Sequence, residues 1–157
     1  MSAADLVRAL RARGETVATA ESLTAGLVTV ELTSVPGSSA VVRGGLVVYA
    51  TDLKHTLAGV DATLLAEHGA VHPEVARQLA EGARARCGAT WGLGLTGVAG
   101  PDPQDGAAPG TVHIGLSGPS GSSVVSLTLG GDRDEVRKSS TMAALNLLRD
   151  HLKIPVE

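Results

Sequence analysis

The chain has 157 residues, a formal charge of -3 from 13 basic and 16 acidic side chains, and 43% hydrophobic against 18% charged residues, the size and balance of one ordinary globular domain. Trp91 and Tyr49 are its only aromatics and Phe is absent, which predicts an aliphatic core and argues against a surface that stacks bases of single-stranded nucleic acid. The slight acidic excess provides no general attraction to nucleic acid or anionic lipid, no apolar run approaches the ~20 residues of a membrane span, and Cys87 is a lone cysteine without an apolar leader upstream. A cytoplasmic protein with no nucleic-acid and no membrane partner is expected.

In chain order, Leu6, Val7 and Leu10 recur at helical spacing up to Arg13, and Gly14 stops that helix before the β-branched run Thr16 to Thr19. Glu21-Ser22-Leu23-Thr24-Ala25-Gly26 leads into a second helix carrying Leu27, Val30 and Leu32 and ending near Ser34-Val35-Pro36-Gly37. Ser22 and Thr24 therefore fall at a strand-to-helix turn. Gly44-Gly45-Leu46-Val47-Val48-Tyr49 is apolar without alternation and reads as a strand buried on both faces. Thr51 to His68 is helical in two pieces broken at Gly59, and Pro73 to Cys87 is a longer helix with Pro in its first turn. Trp91 to Thr96 returns to strand character, followed by a Gly-, Pro- and Asp-rich loop through Pro109 that is too long for a mere connection.

Thr111 to Leu116 and Ser123 to Leu129 read as a hairpin. A last helix starts after Gly130-Gly131, with Asp132 and Glu135 at capping-box spacing, and runs to about His151. Alternating helices and strands with one hairpin predict an α/β fold, a three-layer α/β/α sandwich with a mixed sheet, as one domain over 1–157. In such sheets the ligand crevice lies at strand ends, where loops 21–26, 34–39 and 96–110 compete for it.

Each chemical candidate has a plain alternative. Ser22 is either a helix cap or a nucleophile beside helix N–H groups able to hold an oxyanion. Lys54 shares a strand end with Tyr49; it serves as a base only if its pKa falls well below about 10.4, and otherwise is a surface lysine pairing with Asp52 or Asp61. Thr96-Gly97-Val98-Ala99-Gly100 is a tight turn or a backbone cradle for phosphate or ribose, without the Gly-Lys-Ser/Thr ending of a P-loop or the GxGxxG fingerprint. Arg133 and Arg137 share a helix face fit to clamp a phosphate, or are neutralised by Asp134 and Glu135. His68 and His72 are interrupted by Gly69 and followed by Pro73, which spoils a helical ligand face, so no metal site is expected.

Taken together and in order, these segments resemble the CinA C-terminal domain family, the nicotinamide-nucleotide amidohydrolases also called PncC. Thr19-Ala20-Glu21-Ser22-Leu23-Thr24-Ala25-Gly26 looks like the family's A-E-S-C-T-G-G segment. Pro36-Gly37-Ser38-Ser39, Gly44-Gly45 with Tyr49 and Lys54, Gly69-Ala70-Val71, Thr96 to Pro101, Pro109-Gly110-Thr111-Val112 and Gly131-Asp132-Arg133 with Arg137 follow in the family's order. The resemblance implies hydrolysis of the carboxamide of nicotinamide mononucleotide to nicotinate mononucleotide and ammonia. Ser22 would be the nucleophile, Lys54 its base, and Tyr49 a partner orienting Lys54 or the scissile group. Thr24, Gly26, Ser38, Ser39, Thr96, Gly97, Gly100, Gly110, Thr111, Arg133 and Arg137 would form the substrate site of a cofactor-free homo-oligomer.

The sequence departs from the family pattern at four places. Leu23 replaces Cys, Ala25 replaces the first Gly of a pair, His72 stands where Ser is common, and the loop before Pro109 lacks the family's lysine. Ala25 is expected to narrow the backbone beside the oxyanion site, because Gly tolerates positive φ and Ala scarcely does. The alternative function is a nucleotide-binding domain without turnover, or an interaction domain related to competence or DNA damage.

Overall fold

The computed structural model describes residues 3–155. The ends of the 1–157 domain expectation lie outside the described residues. The elements are α1 (Ala3–Arg13), β1 (Val17–Glu21), α2 (Leu27–Thr33), a 3-10 turn (Ser38–Ala40), β2 (Val42–Val47), α3 (Thr51–Thr56), α4 (Ala62–His68), α5 (Pro73–Cys87), β3 (Trp91–Gly97), β4 (Thr111–Gly118), β5 (Gly121–Thr128) and α6 (Arg133–Leu152). They form a five-stranded sheet in the order β2-β1-β3-β4-β5, in which β1 pairs parallel with both β2 and β3 while β4 and β5 run antiparallel. The expected mixed sheet between helical layers is present, with α5 crossing one face and α1, α2 and α6 packed together over the other.

Residue alternation explains the two faces. Along β3 and β4, Leu93, Leu95, Val112, Ile114 and Leu116 point into the core under α1, α2 and α6. The intervening Gly92, Gly94 and Gly115 face α5 so closely that an added Cβ would lie 2.1 to 2.4 Å from the backbone of Ala76 or Ala80. The helix therefore rests on the strand backbone, with Ala76, Ala80 and Ala83 on its own buried side. An aliphatic, small-residue composition is what this spacing demands.

The expectation of a doubly buried strand over 44–49 is corrected. β2 covers Val42–Val47 at the sheet edge, and its residues alternate between half-buried and exposed, with Val47 49% exposed. Its unbroken apolar appearance comes from Gly44 and Gly45. At Gly45 a Cβ would sit 2.5 Å from Thr29 Oγ1, so glycine here serves close approach to α2. Asp132 caps α6 as expected, accepting the Glu135 N–H at 2.9 Å while Glu135 accepts the Asp132 N–H at 3.3 Å. No helix among the described residues is long and apolar enough to cross a membrane.

Candidate active site

The ladder of β1 continues one residue beyond the strand, with the Ser22 N–H donating to Leu95 O at 3.2 Å and the Val48 N–H to Glu21 O at 2.9 Å. Ser22 thus stands at the carboxyl end of the central parallel strand, where α/β sheets open their crevices. It does not cap α2. That helix begins five residues later behind Gly26, which makes no side-chain cap.

The cap comes from Glu21, a fully buried carboxylate. Its Oε1 accepts from the Val28 N–H at 2.9 Å and the Thr24 hydroxyl at 2.7 Å. Its Oε2 accepts from the Thr29 N–H at 3.1 Å and from the hydroxyls of Thr29 at 2.8 Å and Thr19 at 3.2 Å. Five donors and the positive end of a helix offset the cost of burying this group. Two expectations are thereby corrected. The N–H groups at the start of α2, expected to hold an oxyanion, belong to Glu21, and Thr24, expected to contact substrate, is wholly buried with its hydroxyl on Glu21. Glu21 itself was not singled out from the sequence. Its signal was a single acid among threonines at 19, 24 and 29.

Ala25 adopts φ +49 and Gly26 φ +103, so the alanine accepts a left-handed conformation, at a cost on the order of 1 kcal/mol. Ala25 thus takes the positive φ that alanine was expected scarcely to tolerate.

Lys54 is 1% exposed, which removes the surface-pairing alternative. One turn into α3, its Nζ reaches back to donate to Ser22 Oγ at 3.0 Å, Val48 O at 2.8 Å and Tyr49 O at 3.1 Å. Burial lowers its pKa from the ordinary lysine value to about 8, with the negative charge of Asp105 acting in the opposite sense. The two carbonyls can only accept, so they commit two N–H bonds. The third direction of the nitrogen, occupied by a proton or a lone pair, faces the Ser22 hydroxyl. Tyr49 contributes its backbone carbonyl to the lysine, while its phenol is 61% exposed and accepts from Arg133 Nη2 at 3.3 Å.

Ser22 and Lys54 meet beside a cleft of about 320 Å³, lined by Ser22, Leu23, Tyr49, residues 97–104 and Arg133. This lies at the small end of the range of ligand pockets, roughly 300–1,000 Å³. Gly97, Gly100 and Arg133 are among the lining residues. Arg133 Nη1 also donates to Gly100 O at 2.8 Å, tying α6 to the loop across the cleft. Neither flanking acid neutralises it, since Asp134 pairs with Lys138 at 2.8 Å and Glu135 serves the cap.

The remaining expected residues support the cleft from behind or lie elsewhere. Arg137 donates from Nε to Leu23 O at 2.9 Å, holding the residue after Ser22. Thr96 is buried, with its hydroxyl on Ala70 O at 2.7 Å. Gly110 and Thr111 knit the two ends of the loop, the Gly110 N–H donating to Val98 O at 2.7 Å and the Val98 N–H to Thr111 O at 2.8 Å. Gly26 is half-buried at the start of α2 against Val47. Ser38 and Ser39 immediately precede β2, and so sit at the opposite end of the parallel strands, which places them outside the cleft of this chain. Among the described residues no group of three or more His, Cys, Asp or Glu side chains is arranged to hold a metal ion. The rings of His68 and His72 lie tilted against each other with centroids 4.9 Å apart, and His72 Nδ1 caps α5 by accepting the Glu74 N–H at 3.1 Å.

Residues 1–152 match the sequence profile of the CinA C-terminal domain. A CinA-like protein of Anaeromyxobacter sp. (strain Fw109-5) is 53% identical over 145 residues, covering 92% of this chain and 35% of that protein. A putative competence-damage inducible protein of Geobacillus sp. (strain WCH70) is 48% identical over 132 residues, covering 83% and 32%. The chain thus spans about a third of the length of these curated relatives. Among solved structures, the competence/damage inducible protein CihA from Agrobacterium tumefaciens superposes with a TM-score of 0.91 at 34% identity, covering 97% of this chain and 93% of that one. The competence damage-inducible protein A from Klebsiella pneumoniae does so with 0.92 at 30% identity, covering 96% and 94%. On sequence, superposition and extent of match, the chain belongs to the CinA C-terminal domain family.

Proposed function

We propose that the chain, acting as one domain, is a serine amidohydrolase that deamidates nicotinamide mononucleotide. The observation that carries this reading is the 3.0 Å contact between a buried, two-carbonyl-anchored lysine and the Ser22 hydroxyl. Neutral Lys54 takes the Ser22 proton as Oγ attacks the carboxamide carbon, and the lysine then returns a proton to the departing nitrogen, releasing ammonia and leaving a serine ester. Water, losing a proton to Lys54, attacks that ester. The carboxylate product leaves and Ser22 Oγ recovers its proton.

The Leu23 N–H directly follows the nucleophile at the cleft wall, with Arg137 holding the Leu23 carbonyl, and is the natural donor to the oxyanion. Arg133, at the mouth beside Tyr49, suits the substrate phosphate. A nucleotide-binding domain without turnover has no use for a lysine buried at this cost.

The purified protein should release ammonia from nicotinamide mononucleotide. Ser22→Ala and Lys54→Arg should each abolish release, the latter because arginine does not give up its proton. Activity should rise with pH through about 8 as Lys54 becomes neutral. A flat profile across that range, or turnover by Lys54→Arg, excludes the lysine as base.

A further inference from the structure

The loop between β3 and β4 carries a structure that the dyad alone does not explain. Gln104 and Ala107 pair as a miniature hairpin, the Gln104 N–H donating to Ala107 O at 3.0 Å and the Ala107 N–H to Gln104 O at 2.8 Å. The two residues at its tip, Asp105 and Gly106, both take left-handed φ values of +50 and +75, the tight turn that Asp-Gly favours. This turn aims the Asp105 side chain at the connection between α4 and α5, where its Oδ2 accepts the Ala70 N–H at 2.9 Å. Gly69 makes the approach possible, since a Cβ there would lie 2.9 Å from Asp105 Cβ. On its other side Ala70 accepts the Thr96 hydroxyl at 2.7 Å. One residue of the connection is therefore gripped by the end of β3 and by the tip of the loop, and Gln104, just before that tip, lines the cleft.

We propose that Asp105 is a positioning residue for the Ser22–Lys54 dyad, an inference resting on the dyad reading above: its carboxylate, held at the tip of the Gln104–Ala107 hairpin, latches the cleft wall onto the Gly69–Ala70 turn. The charged or titratable side chains lining the cleft are Tyr49, Asp102 and Arg133, while Glu21 directly precedes Ser22 and Asp52 and His55 share α3 with Lys54. Burial lowers the Lys54 pKa, and the negative charge of Asp105 raises it. The latch therefore does two separable things. It fixes the wall through a hydrogen bond that an amide oxygen can also accept, and it acts on the lysine through a charge that an amide lacks.

The test reads the dyad without presuming its substrate. The full chain is treated with a fluorophosphonate, and the rate of Ser22 phosphonylation is followed across pH 6–10 (a range of about four units spanning the lysine's titration), beside kcat and KM for nicotinamide mononucleotide and the thermal midpoint. Asp105→Asn should keep the maximal labelling rate and KM within about twofold, while its half-maximal rate moves to lower pH, because removing the negative charge favours neutral Lys54. Asp105→Ala should slow labelling at every pH by roughly tenfold or more and raise KM, with the midpoint moved by only a few degrees, because the wall loses its anchor. Gly69→Ala, which pushes on the same carboxylate from the opposite side, should behave like Asp105→Ala. Wild-type profiles in all three variants overturn the proposal. So does an equal loss in Asp105→Asn and Asp105→Ala without a pH displacement, which would make Asp105 structural only. If Asp105→Ala does not fold, the profile of Asp105→Asn decides. A wild-type chain that is not labelled at Ser22 fails the dyad reading itself, whereas labelling that all three variants leave unchanged fails only the latch.

Discussion

At the scale of single residues, two arginines one helical turn apart have different work. Arg133 reaches the cleft mouth, where its guanidinium meets the Tyr49 phenol and the Gly100 carbonyl, whereas the Nε of Arg137 donates to the carbonyl of Leu23 beside Ser22. Arg133→Ala is expected to weaken binding of nicotinamide mononucleotide by about 1.5–3 kcal/mol, the worth of a charge-assisted contact, while barely changing binding of the nucleoside that lacks the phosphate. Arg137→Ala should instead lower kcat for nucleotide and nucleoside alike, since it loosens the turn that presents Ser22. Measuring both variants against both ligands separates the roles. Equal penalties in Arg133→Ala would move the phosphate to the backbone of residues 97–100. Sequence showed that the two side chains share a face, but the distance along that face to a carbonyl on another element appears only after folding.

At the scale of elements, the contact between α5 and the sheet sets the geometry of the whole α5 face. Gly94 on β3 has no space for a side chain, since a Cβ would lie 2.4 Å from the Ala80 nitrogen and 2.6 Å from the Ala76 oxygen. These are backbone atoms in the middle of a helix, so they cannot step aside as a flexible side chain would. Gly94→Ala should therefore destabilise the protein by about 1–3 kcal/mol or more, the range for overpacking, measured by denaturant or thermal unfolding. Wild-type stability in that variant would mean that α5 can lift from the strands. The same contact bears on the site, because α5 follows the Gly69–Ala70 turn to which Asp105 and Thr96 bind. The strength of the α6 capping box was legible from Asp132 and Glu135, whereas Glu21 acting as cap to α2 from the preceding strand was not. A local cap is written in adjacent residues, and a cap carried on another element is not.

At the scale of the molecule, the buried lysine links the proposed chemistry to stability. Its pKa is about 8 in the folded chain against 10.5 when exposed, so between those values the unfolded chain binds a proton that the folded chain does not. The contribution of Lys54 to stability accordingly rises with pH across this window. Below about pH 8 both states are protonated, and the cost of burying the charge is borne in full. Comparison with Lys54→Met removes the titration of all other groups. The unfolding free energy of the wild type, relative to that variant, should increase by roughly 3 kcal/mol from pH 8 to 10.5. An unchanged difference would mean that the lysine is not desolvated in the folded chain. Below that window the core holds a buried cation, and the sheet and its helices supply the stability that this requires.

Much of the fold was determined by sequence alone. Periodicity and punctuation are local properties, so the breaks at Gly14 and Gly59, the helix from Pro73 to Cys87, the hairpin and the capped last helix all appear where the residues place them. The segments also carried the family, because motifs in order survive without knowledge of their contacts. Tertiary structure decided what each motif does. The apolar run of β2 proved to be an edge strand, since strand order depends on pairing partners and not on composition. Ser38 and Ser39 fell at the far end of the parallel strands, and Thr24, Thr96, Gly110, Thr111 and Arg137 became supports behind the cleft. Lys54 reached Ser22 across 32 positions of sequence. Its burial and its facing of a hydroxyl between two carbonyls arise only when β1, β2 and α3 are brought together, and that desolvated contact distinguishes a candidate base from a surface lysine.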